Sequence, residues 1–184
     1  MGAVHSAFCK CGFTKEVTVG DLSSMASGLS WDEKYYSPFS IVTRAYFDDD
    51  LNSVILGLNI HEKPGQSFKY LSGATQLLAM CIEKATGEFL SDYVSKHFWK
   101  PMGAENEALW QLDEAPNGIE KAYCCIGSNA RDFARFGKLY LNNGKWNGTQ
   151  LLDSAFVKKC VTPRFENSPE YGYGWWMHNF LGKD

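Results

Sequence analysis

Apolar positions recur at helical spacing most clearly between Ser72 and Thr86. Leu77, Leu78, Cys81, Ile82 and Ala85 form one stripe there, and Gly87 follows as a stop. A second long helix is predicted from a cap at Ser128 to about Leu141, ended by Asn143-Gly144. Shorter helices are expected from Val19 to Ser27, capped by Thr18 and stopped by Gly28, and from Asp49 to Leu58. Two more are expected from Leu90 to about His97 and from Ser154 to Cys160. The acids Asp48, Asp49 and Asp50 suit the positive end of the second short helix, which is reason enough for that run. Residues 29–43 read as a loop containing Pro38. Strand character falls on Gly118–Ile126 and on the aromatic run from Tyr171 to Phe180. Trp146-Asn147-Gly148-Thr149 predicts a tight hairpin turn.

Residues 1–16 carry no periodicity and read as an irregular N-terminal segment; residues 17–184 read as one partial domain, with no linker dividing it. The class is α+β and helix-rich. Composition changes little in this picture: 45% of residues are hydrophobic, 21% are charged and the net charge is −3. A nucleic-acid footprint would need a basic patch, and none is present. No stretch approaches the ~18 apolar residues of a membrane span. The N-terminus lacks the charged and apolar regions of a signal peptide, which leaves the compartment open.

The six cysteines do not follow zinc-site spacing, and reduced, structural cysteines are expected. Cys9, Cys11 and His5 are the nearest approach to a metal set; no metal or cofactor is expected. A cysteine hydrolase built on Cys81 with His61 or His97 is disfavoured, because Cys81 lies on the apolar stripe and a reactive thiol needs exposure and a positive neighbourhood.

Candidate chemistry sits where a turn meets the long helix. Pro64-Gly65 leads into Phe68-Lys69-Tyr70-Leu71-Ser72, and side chains at such a junction project from a rigid support. A structural explanation competes: Ser72 is a good N-cap, and Tyr70 can pack as a hydrophobic staple.

Four collinear stretches extend this local pattern. The first is Val17-Thr18-Val19 with Asp21-Leu22 and Ser27-Gly28-Leu29. The second runs from Pro64-Gly65 through Tyr70 and Ser72 to Trp99-Lys100-Pro101-Met102-Gly103. The third is Ala130-Arg131-Asp132-Phe133-Ala134-Arg135-Phe136-Gly137, and the fourth is Tyr171-Gly172-Tyr173-Gly174-Trp175-Trp176. In order and spacing they resemble the class C β-lactamase, D,D-peptidase and 6-aminohexanoate-dimer hydrolase group of serine hydrolases. The resemblance implies a partial β-lactamase/transpeptidase-like fold with the main antiparallel sheet largely missing. It carries Tyr70 over as the tyrosine of the family's second motif, Y-x-N or Y-x-S, and Ser72 as its third position. It also suggests that the loop holding Trp31, Tyr35 and Tyr36 binds substrate. The implied reaction is acyl transfer from an amide, β-lactam, peptide or ester to a serine, then release by water.

Two motifs of that family are absent from this sequence. No serine is followed by lysine at the S-x-x-K spacing: Ser24 is followed by Ser27 and Ser128 by Arg131. No K-T-G or H-x-G occurs either; Ala85 interrupts Lys84-Ala85-Thr86-Gly87. The chain is therefore expected to be an internal piece of such a hydrolase, inactive alone. It is also expected to self-associate through the helix faces that a missing sheet would leave open. The alternative is a catalytically dead binding module that keeps the helical lobe and cleft.

Overall fold

The computed structural model describes residues 17–177, apart from 115 and 117. Cys9, Cys11 and His5 thus lie outside the described residues, as do the N-terminal segment and the last part of the Tyr171–Phe180 run. Two compact units form. The first comprises the chain up to Val94 with Ala108–Gly127; the second comprises Ser95–Glu107 and the chain from Ser128 onward.

In the first unit, α1 (Val19–Ser23) opens with the expected Thr18 cap, whose side chain accepts from Asp21 N while the Asp21 carboxylate accepts from Thr18 N. This reciprocal pair satisfies two backbone donors at once. The helix stops at Ser24, before Gly28. Gly28 serves a different purpose. It adopts φ +69°, and a Cβ there would lie 2.1 Å from the Glu62 carbonyl oxygen, so only glycine lets the two chains meet. The contact is held by His61 N to Gly28 O at 2.8 Å and Ser30 N to Asn59 O at 2.7 Å.

The stretch read as a loop over 29–43 runs into a helix, α2 (Ile41–Phe47), capped by Ser40 and burying Val42 and Ala45. Then α3 (Leu51–Leu56) begins at Asp50, whose carboxylate accepts from Ser53 N at 3.0 Å. The long helix α4 spans Ser72–Thr86 and ends at Gly87 in the left-handed conformation, as its sequence predicts. Leu77 and Cys81 are buried as expected, whereas Ala85 is exposed. The first half of α4 is instead buried nearly all round, with Gly73, Ala74, Gln76, Ala79 and Met80 also inside. Small residues permit this close approach: a Cβ at Gly73 would lie 2.5 Å from Cε3 of Trp31.

Gln76 is the polar tie of this core. Its amide nitrogen donates to Glu120 O at 2.9 Å, and its amide oxygen accepts from Ala122 N at 2.7 Å. The segment it holds runs beside β1 (Leu109–Trp110), which pairs antiparallel with β2 (Ile126–Gly127). Most of the expected Gly118–Ile126 strand is thus a single bridge, Leu112 to Glu120, followed by a turn at 121–124. Helix α5 (Leu90–Val94) ends the first of the unit's two stretches of sequence.

The second unit starts with a π-helical turn at Ser95–Trp99, where a continuous helix to His97 was expected. Its organising residue is Asp132 in α6 (Ala130–Leu141), which is capped by Asn129 rather than Ser128. The buried Asp132 carboxylate accepts from Glu105 N and Asn106 N, both at 3.0 Å, and from Asn129 Nδ2 at 2.7 Å. These donors, led by the Glu105 amide, pull its pKa down to about 2. Rings of Phe98, Phe136, Tyr140 and Trp175 pack in succession along the same helix. The hairpin β3 (Lys145–Trp146) and β4 (Thr149–Gln150) follows, then α7 (Ser154–Cys160). Instead of a strand, Tyr171 to Trp176 form a bridged turn, closed by Gly172 N to Trp175 O at 2.9 Å. Among the described residues, no helix is long and apolar enough to cross a membrane.

Candidate active site

Tyr70 and Ser72 do stand at the N-terminus of α4, but the helix begins one residue earlier than a Ser72 cap would require. Leu71 is the N-cap; its backbone is extended and its side chain offers no acceptor. Ser72 is the first helical residue and is buried, at 3% exposure. The first amide of a fifteen-residue helix therefore needs an acceptor from elsewhere.

Glu33 supplies it. One carboxylate oxygen accepts from Ser72 N and from Trp31 Nε1, the latter at 2.9 Å. The other accepts from Ser72 Oγ at 3.1 Å and from the Tyr35 hydroxyl. The Tyr35 and Ser72 hydroxyl oxygens are themselves 3.4 Å apart. A negative charge at this end of a long helix is favourable, and four donors fix its position. Sequence reasoning passed over Glu33 because it lies 39 residues before its partner Ser72, with no local spacing to mark it. The one available signal was Leu71, a residue unable to cap the helix it precedes.

The loop residues divide sharply. Trp31 is buried at 4% exposure, its ring against Gly73 and edge-on to Tyr123. Tyr35 and Tyr36 are 67% and 86% exposed. Tyr70 is 37% exposed and opens onto a hollow of about 350 Å³. Tyr35, Val42, Thr43, Tyr46, Phe47, Ser72, Tyr123 and Cys124 complete its lining. The structure therefore brings Tyr70, Ser72 and Tyr35 to one place, with Trp31 behind them and Tyr36 away from the lining.

Burial raises the Tyr70 pKa above the ordinary phenol value, and the neighbouring Glu33 charge raises it further. Tyr35 is raised too, by burial and by its bond to Glu33. Burial pushes Tyr123 up to about 12. The hollow is thus walled by protonated phenols at neutral pH. Such a surface donates hydrogen bonds, and its Tyr46, Phe47 and Val42 wall accepts apolar groups.

Two cysteine expectations meet different outcomes. Cys81 is buried at 3% exposure, out of reach of any substrate. Cys124 and Cys125, expected to be reduced, are joined in a disulfide between adjacent residues, because the turn before β2 brings the two side chains together. Among the described residues no group of three or more His, Cys, Asp or Glu could hold a metal ion.

A tyrosine and a serine two residues apart thus stand together at the start of the long helix. Residues 12–183 match the β-lactamase family model, and the chain belongs to that family. A curated relative, the 6-aminohexanoate-dimer hydrolase of Paenarthrobacter ureafaciens, is 28% identical over 94 residues, covering 51% of this chain and 24% of its own length. A candidate 6-aminohexanoate-dimer hydrolase from Bacillus anthracis superposes with a TM-score of 0.80 at 26% identity, over 97% of this chain and 52% of that one. The penicillin-binding protein of Bacillus halodurans shares the fold, with a TM-score of 0.67 at 19% identity, over 92% of this chain and 60% of that one. The chain thus spans about a quarter of the curated relative in alignment, and about half of the Bacillus anthracis structure.

Proposed function

We propose that residues 17–177 form the helical lobe of a serine hydrolase, that Tyr70 is its proton-transfer residue, and that Ser72 completes the second motif. The observation that carries this reading is the position of the Tyr70 phenol: partly exposed, at the N-terminus of α4, on a hollow it shares with Ser72. In the proposed reaction a serine hydroxyl attacks an amide or ester carbonyl. Tyr70 relays the serine proton to the leaving group, and water then releases the acyl chain. Tyr35, whose hydroxyl is held by Glu33 and lies 3.4 Å from Ser72 Oγ, would contact a substrate in the hollow, a role supported by its place in the lining. Trp31 contributes from behind, as the support of Gly73 and Glu33.

The nucleophile and its lysine have no counterpart in this sequence. We propose that they are contributed by a longer protein of which these residues are a section, and that the 184 residues alone form no acyl-enzyme. Two of the similar proteins are named as 6-aminohexanoate-dimer hydrolases, which supports a linear amide as one substrate class for this reading.

The test has two arms. The 184-residue chain is incubated with a fluorescent penicillin and with a nitrophenyl ester, and covalent labelling is read by mass spectrometry; none is expected. The flanking coding sequence is then read for S-x-x-K and for K-T-G or H-x-G, and the longer protein is assayed with Tyr70→Phe. Losing a general acid–base residue lowers kcat by about 10²–10⁴-fold. An unchanged kcat in the Phe variant, or flanks without those motifs, refutes the reading. In the latter case saturable binding of a β-lactam or peptide without turnover would favour the binding-module alternative.

A further inference from the structure

The Cys124–Cys125 pair meets the hollow at Cys124 and has no part in the proposed acyl transfer. The two Cα atoms are 3.7 Å apart, and Cys125 adopts φ +72°, a left-handed conformation that is uncommon for a residue with a side chain. The turn is pinned from both sides. Trp110 Nε1 donates to Lys121 O and Cys124 O, each at 3.1 Å, and Gln111 N donates to Cys125 O at 3.1 Å. Both sulfur-bearing residues are half-buried, while Cys81 and Cys160 are fully enclosed. Cys124 also lines the hollow, so a small molecule that enters it reaches this pair and neither of the enclosed thiols.

We propose that Cys124 and Cys125 form a modification site on the wall of the hollow: a dithiol that closes to the adjacent-residue disulfide by exchange with a low-molecular-weight disulfide. One cysteine thiolate attacks a sulfur of the small disulfide RSSR, forming a protein–S–S–R bond and releasing RS⁻. The second thiolate attacks the protein sulfur of that bond, forming the Cys124–Cys125 bond and releasing a second RS⁻. The two cysteines lose two electrons, the small disulfide gains them, and the two thiol protons end on two RSH. The pinned turn favours the second step, because it holds the second sulfur beside the first and no segment has to move. The proposal is independent of the role assigned to Tyr70.

The experiment uses the full 184-residue chain. It is reduced, freed of reductant and exposed to excess hydroxyethyl disulfide, then mapped by non-reducing peptide mass spectrometry, which separates this pair from Cys9 and Cys11. The expected product is a peptide carrying both cysteines that has lost two hydrogens and gained no adduct; dithiothreitol restores it. Phenylarsine oxide, which bridges two neighbouring thiols, is expected to block that closure and to survive a monothiol wash. In Cys124→Ser and Cys125→Ser the remaining thiol should instead keep a hydroxyethyl adduct, and the arsenical should wash away from the peptide that carries positions 124 and 125. Stable mixed disulfides on both cysteines of the unsubstituted chain overturn the proposal, as does arsenical retention on that peptide equal in all three proteins. The unsubstituted chain decides the matter even if a variant fails to fold.

Discussion

Replacing Glu33 should unfasten the mouth of the hollow, and the size of the effect follows from what its carboxylate holds. Four donors converge on it: Ser72 N, Ser72 Oγ, Trp31 Nε1 and the Tyr35 hydroxyl. Ser72 and Trp31 are buried, so in Glu33→Ala their donors are left with little water to replace the lost acceptor. Hydrogen bonds to a charged group contribute about 1.5–3 kcal/mol each, and those sharing one carboxylate do not add. The exposed Tyr35 bond contributes least. The favourable charge at the start of α4 adds about 0.3–1 kcal/mol. Together these give a loss of about 2–4 kcal/mol, which for a chain of this size lowers Tm by roughly 5–15 °C. Glu33→Gln keeps the shape and one acceptor oxygen and should lose about half as much. Asp32→Ala is the control; its carboxylate accepts only an exposed turn amide, Lys34 N at 3.2 Å. Its cost should stay within about 0.5 kcal/mol. Urea unfolding followed by circular dichroism measures all three. If Glu33→Ala is no less stable than Asp32→Ala, Glu33 does not secure the helix start.

Gly73→Ala would drive a methyl group into the Trp31 ring and should cost about 1–3 kcal/mol by overpacking, read as a lower urea midpoint; a neutral result would mean that the ring has room to retreat. Gln76→Leu would orphan Glu120 O and Ala122 N and should cost about 2–4 kcal/mol in the same assay. The Glu83 carboxyl is raised to about 7 by burial, with the adjacent Glu120 charge adding to the rise. The folded chain therefore keeps that proton where the unfolded chain, titrating near 4.5, has released it. This stabilisation is complete below the unfolded value and is lost as pH rises through the folded one. Unfolding midpoints should fall between about pH 5 and about pH 8, and Glu83→Gln should flatten that slope. An unaltered slope in the variant would place the proton elsewhere.

The two long helices were legible in the sequence because each carries enough turns for its pattern and its stop signal to agree. Ile41–Phe47 was not. Seven residues with β-branched and aromatic side chains make a poor isolated helix, and burial of Val42 and Ala45 on one face decides the matter from outside the segment. The strand expected over Gly118–Ile126 failed for a related reason. Its apolar and β-branched residues suit a sheet, but Gln76 takes the backbone groups of Glu120 and Ala122 from within the core. Lys121, a charge in the middle of that run, is buried with its ammonium over the Tyr46 ring at 5.0 Å. Tyr70 and Ser72 could be placed from the turn-to-helix junction. The acceptor that positions Ser72 could not, because a carboxylate 39 residues away leaves no mark in local spacing.

The same carboxylate sets the electrostatic demand on the proposed chemistry. A phenol accepts a proton only as phenolate, and at Tyr70 both burial and Glu33 oppose that form. Lys121, a buried cation of the first unit, has its ammonium committed to the Tyr46 ring and carbonyl. Under the proposed function, the positive charge that lets Tyr70 act as a base would come from the lysine of the motif that this sequence lacks. That charge would have to outweigh both burial and Glu33; opposite charges about 4 Å apart attract by about 4 kcal/mol at an effective dielectric of about 20. Glu33 thus fixes Ser72 at the start of α4, while burial first and the Glu33 charge second favour the neutral phenol at Tyr70. Tyr70 would be a base only in the assembled enzyme and an ordinary hydrogen-bond donor in the lobe by itself.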